Sequence, residues 1–297
     1  MIGAIDIGGT KIAVGLVTRE GQIVGATNLV TQPRQPYAES LDEIETALRD
    51  LLRAHNATLD GIGIGTTGRL NADKTLTPNA FLPNWSARNP AQDLAARFDV
   101  TVSIENDADA AALAEARWGV GRGVERFLYV TVSTGIGGSI VLGGRLYRGV
   151  GGCHPELGHH VIDPSGPACF CGAHGCWEIL ASGTAMKVWV QANGGGDDWD
   201  ARKICDLAEQ GNVLAQQAVE RTARYLGIGL SNLITLFAPD CIALGGGVMR
   251  RWQLFRPGAA AVIARQCGLV PWQLVQLTPA GLEQPGLAGA GAVWLHN

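Results

Sequence analysis

Apolar residues arrive in two rhythms along this chain. Short, nearly unbroken apolar runs at Ile2 to Asp6, Ile12 to Val17, Gly61 to Gly65, Thr101 to Glu105, Phe127 to Val132, Ser139 to Leu142 and Cys241 to Leu244 predict buried strands. The second rhythm is helical. Leu41, Ile44, Leu48, Leu51 and Leu52 recur on one face and predict a helix from about Tyr37 to His55. An alanine-rich stretch from Asp107 to Trp118 predicts another. Helices dominate from about Ile179 to Phe237, broken by the solvated loop Asn193 to Asp198, and a last helix is expected from about Gly289. Strands alternating with helices place the chain in the α/β class.

The pattern runs through twice. Strand, glycine-rich turn and strand open the chain. The same order restarts at Phe127, where Ser133-Thr134-Gly135-Ile136-Gly137-Gly138 is expected to form the second turn. This reads as an internal duplication of architecture with little identity between the halves. The break falls in Trp118-Gly119-Val120-Gly121-Arg122-Gly123. It predicts an N-terminal α/β lobe over 1–117 and a C-terminal α/β lobe over 118–297, with the closing helix, about 286–297, able to pack back on the first.

Composition narrows the function. The 297 residues are 46% hydrophobic, ample for large cores, and the formal net charge is -4. That balance gives no electrostatic reason to expect nucleic acid or an anionic membrane as partner. The opening residues read as a strand rather than a signal peptide, and no apolar run is long enough to span a bilayer, so a cytoplasmic location is expected. Seven cysteines is an odd count. It argues against a disulfide framework, because three of them belong to a metal-like cluster.

That cluster is the sharpest chemical signal. Cys169, Cys171 and Cys176 lie close to several histidines in a loop punctuated by Pro164, Pro167, Gly172 and Gly175. Three thiols and one imidazole can close tetrahedrally around zinc and leave no open position, the pattern of a structural site. Spacing alone does not rank His154, His159, His160 and His174 as the fourth ligand. Glu156 and Glu178 bracket the loop and are not needed for the ion, which suggests that the metal stiffens the wall of a polar pocket.

The glycine turns carry the second signal. In Asp6-Ile7-Gly8-Gly9-Thr10-Lys11 the backbone amides are unobstructed, and such a concave turn suits phosphate oxygens. Thr10 adds a hydroxyl and Lys11 a cation, and Asp6 could hold Mg²⁺ through water. Either turn alone would pass for a plain hairpin connection. As a pair opening two similar halves, they suit a nucleotide. Gly245-Gly246-Gly247 would let an adenine or ribose approach the backbone. Gly63-Ile64-Gly65-Thr66-Thr67-Gly68 imitates a dinucleotide fingerprint, but a turn comes after it instead of a helix, and Trp85 stands where an acid is needed. There is no P-loop motif.

A third signal is the strand-to-helix corner Glu105-Asn106-Asp107-Ala108-Asp109. Helix capping accounts for one polar residue there. A carboxylate at that place could also accept a hydroxyl proton during phosphoryl transfer. Position alone leaves both readings open.

Taken in order, these motifs resemble those of the ROK (repressor, ORF, kinase) sugar kinases. Asp6 to Lys11 resembles the family's first phosphate motif, and Thr134-Gly135-Ile136-Gly137-Gly138 the second. Glu156-Leu157-Gly158-His159 matches E-x-G-H, and Cys169 to Cys176 matches C-x-C-G-x-x-G-C with Glu178 beyond. The resemblance implies a two-lobed actin-like ATPase (ribonuclease H-like) fold, with duplicated α/β domains around a central cleft and a zinc loop. It implies ATP-dependent phosphorylation of a hexose 6-hydroxyl, with Asp107 as base. Gly68, Asn79, Asn106, Glu156, His159 and Glu178 would bind the sugar. Asp6, Gly8, Gly9, Thr10, Lys11, Thr134, Gly135, Gly137, Gly138, Gly245, Gly246 and Gly247 would lie along the nucleotide. His159, Cys169, Cys171 and Cys176 would bind structural zinc, and Mg²⁺ would accompany ATP. A homodimer or homotetramer is implied, with no DNA-binding role. Glucose is the expected acceptor. N-acetylmannosamine or another N-acylhexosamine is the alternative, and a non-catalytic sugar sensor is a further one. Arg69 and Asp109 depart from the pattern of many relatives and bear on that choice.

Overall fold

The computed structural model describes residues 1–296 and divides into two compact units. The first holds Met1–Gly123, Val141–His154 and the described chain from Gly281. The second holds Val124–Ile140 and Pro155–Ala280.

The chain begins with strands β1 (Ile2–Ile7), β2 (Lys11–Val17) and β3 (Ile23–Val30), then helix α1 (Tyr37–Ala54) and strand β4 (Gly61–Thr66). Helix α2 (Pro90–Phe98), strand β5 (Val102–Asn106) and helix α3 (Asp107–Trp118) come after them. Strands β6 (Arg126–Val132), β7 (Ile136–Leu142) and β8 (Arg145–Leu146) repeat the opening. Next come helices α4 (Trp177–Ala181), α5 (Gly183–Ala192), α6 (Ala201–Glu209) and α7 (Val213–Phe237). Strand β9 (Cys241–Gly245), helix α8 (Trp252–Gln266), strand β10 (Gln276–Pro279) and helix α9 (Pro285–His296) complete the order.

The two sheets share one topology. The first is ordered β3-β2-β1-β4-β5 and the second β10-β9-β6-β7-β8. In each, three successive strands lie side by side and two later strands extend the sheet beyond the first of them. The duplication read from the sequence is therefore a duplication of fold. β1 runs antiparallel to β2 and parallel to β4, which is parallel to β5. β9 is parallel to both β6 and β10. Covered on both faces, β1 and β4 are apolar at nearly every position, as central parallel strands must be. β3 alternates half-buried and exposed residues, as an edge strand with one wet face does.

Helix starts are set by side chains that accept otherwise orphaned N–H groups. Asn89 does this for α2, Asn106 for α3, Ser182 for α5, Asp200 for α6 and Asn212 for α7. Helix α1 turns Leu41, Ile44 and Leu48 onto the first sheet. Helix α9 is rich in glycine and alanine and packs on β1, β4 and α3. A Cβ on Gly63 would lie 1.7 Å from the carbonyl oxygen of Ala290, so β4 and α9 touch backbone to backbone.

Several elements depart from the sequence reading. β3, α2, α8 and β10 are not among the elements expected from the sequence: α2 is short, and α8 is weakly patterned. The second glycine turn is shorter than expected, because β7 begins at Ile136 and takes in Gly137 and Gly138. Helix α9 begins at Pro285, with proline at the position where a missing N–H costs nothing.

Candidate active site and metal centre

In the first unit, parallel pairing aligns the carboxyl ends of three strands. Asp6 stands opposite Gly65, and Gly65 opposite Glu105, while Thr66 faces Asn106. The turns leaving β1, β4 and β5 therefore gather along one edge, the place where open α/β sheets bind ligands. After β1 comes the Gly8–Gly9 turn, closed by the Gly8 N–H to the Lys11 carbonyl at 3.0 Å. Thr31 braces it, its hydroxyl donating to the Gly8 carbonyl at 2.7 Å. Any Cβ on Gly9 would meet the Phe81 ring at 2.9 Å.

After β4 comes Gly68, left-handed at φ +91°, where a Cβ would lie 2.5 Å from the Asn79 amide nitrogen. After β5 comes the corner at Asn106. Its amide nitrogen donates to the Gly68 carbonyl at 2.9 Å, while its oxygen accepts the Ala108 N–H at 2.8 Å. Asn79 donates to the Thr67 carbonyl at 3.2 Å and accepts the Phe81 N–H at 2.8 Å. Asn106 is thus both the cap of α3 and a tie to the Gly68 turn. Gly68, Asn79, Asn106 and Asp107 come together in this unit.

Asp107 opens α3, its carboxylate accepting the Ala108 N–H at 2.8 Å. Desolvation by the surrounding protein raises its pKa to about 6, and the Asp6 carboxylate is the next cause, with Asp109 adding to it. The residue keeps an exposed surface. The Ala108 N–H and the nearby His154 pull its pKa the other way. Asp6 is likewise raised by burial, against the pull of Lys11. A carboxylate held near neutrality at a ligand edge is suited to general-base work.

The second unit repeats the geometry. Thr131 on β6 faces Gly245 on β9 at the carboxyl ends of parallel strands. The turn after β6 is closed by the Ser133 N–H to the Gly135 carbonyl at 2.8 Å. Gly183 and Thr184, at the start of α5, donate to the Ser133 and Thr134 carbonyls at 2.7 and 3.3 Å. After β9, Gly246 is left-handed at φ +89°, and a Cβ there would meet the Val132 carbonyl oxygen at 2.3 Å. A cavity of about 680 Å³ opens between these turns, lined by Ser133, Thr134, Gly183, Thr184, Lys187, Asp200, Arg202, Gly247 and Arg250 among others. The helix-borne residues of this wall, from Gly183 to Arg202, were not found in the sequence. Their only signals there are the capping residues of α5 and α6, Ser182 and Asp200.

Glu156 caps the short turn Leu157–His159, and the His159 N–H donates to its carbonyl at 3.0 Å. A Cβ on Gly158 would lie 1.9 Å from the Ile136 carbonyl oxygen, so this turn rests on the first residue of β7. Glu178 on α4 reaches the same residue, accepting the Ile136 N–H at 2.9 Å.

The loop between His159 and Cys176 folds on itself through bridges of Val161 with Cys176 and Ala168 with His174. Gly175 is left-handed, and a Cβ there would lie 1.6 Å from the Asp163 carbonyl oxygen. The donor atoms of His159, Cys169, Cys171 and Cys176 all lie within 4.8 Å of one another. Nδ1 of His159 lies 3.5 Å from the Cys169 sulfur. Of the four histidines, His159 is the one whose ring lies among the thiols. His160 turns its Nδ1 to the Leu157 carbonyl at 2.6 Å, His174 faces the Gly166 carbonyl at 3.4 Å, and His154 belongs to the other unit. Three thiols and one imidazole converging on a point is the donor set of a closed tetrahedral zinc site. Burial, then the neighbouring thiols, push Cys176 up to about 12, so a cation is what would hold it as a thiolate.

A twice-repeated five-stranded topology with glycine turns at the strand ends, and carboxylates there in the first unit, matches solved sugar kinases and marks an α/β protein of the actin-like ATPase fold. The sequence model of the ROK family matches residues 2–297, and the chain belongs to that family. A glucokinase of Streptomyces coelicolor is 34% identical over 299 residues, covering 89% of this chain and 92% of the relative. An N-acetylmannosamine kinase of Escherichia coli is 37% identical over 246 residues, covering 82% of each. Among solved structures, a ROK hexokinase from Thermus thermophilus superposes with a TM-score of 0.88 at 33% identity, covering 99% of this chain and 98% of that one. A Streptomyces griseus ROK glucokinase, in complex with glucose and AMPPNP, gives 0.81 at 30%, with the same coverage.

Proposed function

We propose that this protein is an ATP-dependent sugar kinase that phosphorylates a hexose at its 6-hydroxyl, with glucose as the preferred acceptor. The observation that carries the reading is Asp107, a carboxylate of raised pKa at the ligand edge of a parallel sheet, tied through Asn106 to the Gly68 turn. It would take the O6 proton while O6 attacks the terminal phosphorus of ATP and ADP departs. General-base help is worth roughly 10²–10⁴-fold, so positioning and charge stabilisation must supply the rest. Asp6 to Lys11 and Thr134 to Gly138 are the groups assigned to the phosphates, and Gly245 to Gly247 to the adenosine. Gly68, Asn79, Asn106, Glu156, His159 and Glu178 are assigned to the sugar. Mg²⁺ accompanying ATP would neutralise developing phosphate charge. Zinc on His159, Cys169, Cys171 and Cys176 would order the loop and aim the imidazole.

Support for glucose comes from the glucokinase relatives and from the glucose-bound structural neighbour. The kinase of N-acetylmannosamine is more identical over a shorter span and makes an N-acylhexosamine the second reading. No helix among the described residues is long and apolar enough to cross a membrane. The deciding test is ADP release by the purified protein over glucose, mannose, fructose, allose and N-acetylmannosamine. Glucose should give the highest kcat/KM. The highest value for N-acetylmannosamine would move the assignment to the second reading, and sugar binding without ADP release would mark a sensor.

A further inference from the structure

Three acids crowd the corner that carries the base, Glu105 before it and Asp109 after it. Asp109 is only 2% exposed and Glu105 is largely covered, so neither charge is well solvated. The guanidinium of Arg148 forks across both. One nitrogen lies 2.8 Å from the Asp109 carboxylate and another 2.7 Å from that of Glu105. Lys74 takes the other oxygen of Glu105 at 2.9 Å. We propose that Arg148 is a positioning residue for the base: by bridging the end of β5 to the first turn of α3, it fixes the corner on which Asn106 and Asp107 stand.

Chemistry and geometry both support this. A bidentate fork is planar and directional, which suits orientation better than a single point charge does. Largely buried ion pairs contribute little net stability, so stability alone is a poor reason for one here. The distribution of cations is also selective. Arg148 and Lys74 occupy the flanking acids, whereas the Asp107 carboxylate accepts the backbone N–H of Ala108 and feels His154 only as the weakest of the influences on it. A base bonded to arginine would be a poor proton acceptor. Restraining its neighbours instead fixes its place and leaves its basicity intact. Arg148 sits just beyond β8, on a segment that returns to the first unit, so the restraint comes from chain remote in sequence.

The inference rests on the kinase reading, and the experiment separates the two. Steady-state kinetics and amide hydrogen exchange would be measured on the full-length protein, on Arg148→Met and on Arg148→Lys. In Arg148→Met, kcat should fall on the order of 10²-fold, as expected for a misplaced catalytic group, with a smaller rise in the sugar KM because Asn106 stands on the same corner. Arg148→Lys keeps the charge but cannot span both acids, and its kcat should lie between the two. Amides of residues 105–112 should exchange faster in both variants. Parental kcat and exchange in Arg148→Lys, or a lowered Tm as the sole effect of Arg148→Met, would overturn the proposal. A parent that phosphorylates no hexose would remove the kinase reading, and the exchange arm would still decide whether the bridge restrains the corner.

Discussion

The Glu178 carboxylate accepts the Ile136 N–H at 2.9 Å through Oε2, and its Oε1 lies 3.9 Å from Nε2 of His159. One side chain therefore links the second glycine turn to the imidazole whose other nitrogen faces the thiols. Glu178→Ala should lower stability by about 1–3 kcal/mol, the cost of orphaning a partly buried N–H, and should raise the sugar KM. Urea unfolding and steady-state kinetics check both. If neither moved, the bridge would be incidental.

For the base, the sign of the pH dependence comes from the raised pKa. Asp107 works as a carboxylate, and its folded pKa is about 6, above the ordinary carboxyl value. The kcat/KM for sugar should be level above that pH and fall as pH drops through about 6. Asp107→Asn should lower kcat by roughly 10²–10⁴-fold or more while sugar binding by calorimetry persists. An acid limb near the value of a free aspartate would show that Asp6 and the surrounding protein do not act on it.

Metal removal should act on stability and on sugar affinity together, because His159 turns Nδ1 to the thiols and Nε2 to Glu178. One zinc per chain is expected by elemental analysis. A strong chelator should lower Tm and raise the sugar KM, and added zinc should restore both. Cys171→Ser should mimic the chelated protein. A chain free of tightly held metal and fully active would contradict this assignment.

The contact of β4 with α9 gives a prediction about the fold. Gly63→Ala places a methyl 1.7 Å from a carbonyl oxygen of α9 and should cost about 3 kcal/mol by overpacking. Gly268→Ala, with nothing within 4 Å and no left-handed φ, should change stability by less than about 0.5 kcal/mol. Denaturant midpoints of the two variants compare them directly.

The amino-acid order by itself determined the strong signals. Continuous apolar runs marked β1, β4, β6 and β9, because strands covered on both faces have no polar side to hide. The cysteine spacing marked the loop, because few other arrangements of thiols and glycines have a purpose. Weakly patterned elements escaped. β3 and β10 lie at sheet edges, where packing and not periodicity selects the strand, and α2, though amphipathic, has only nine residues. Spacing left four histidines open and only the family resemblance singled out His159; the tertiary structure brings that ring beside the thiols, because proximity in space does not follow distance along the chain. It also decided which carboxylates share a cation. Arg148 meets Glu105 and Asp109 only because a segment beyond β8 folds back on α3, and ion pairing depends on distance in space, which the order of residues does not record.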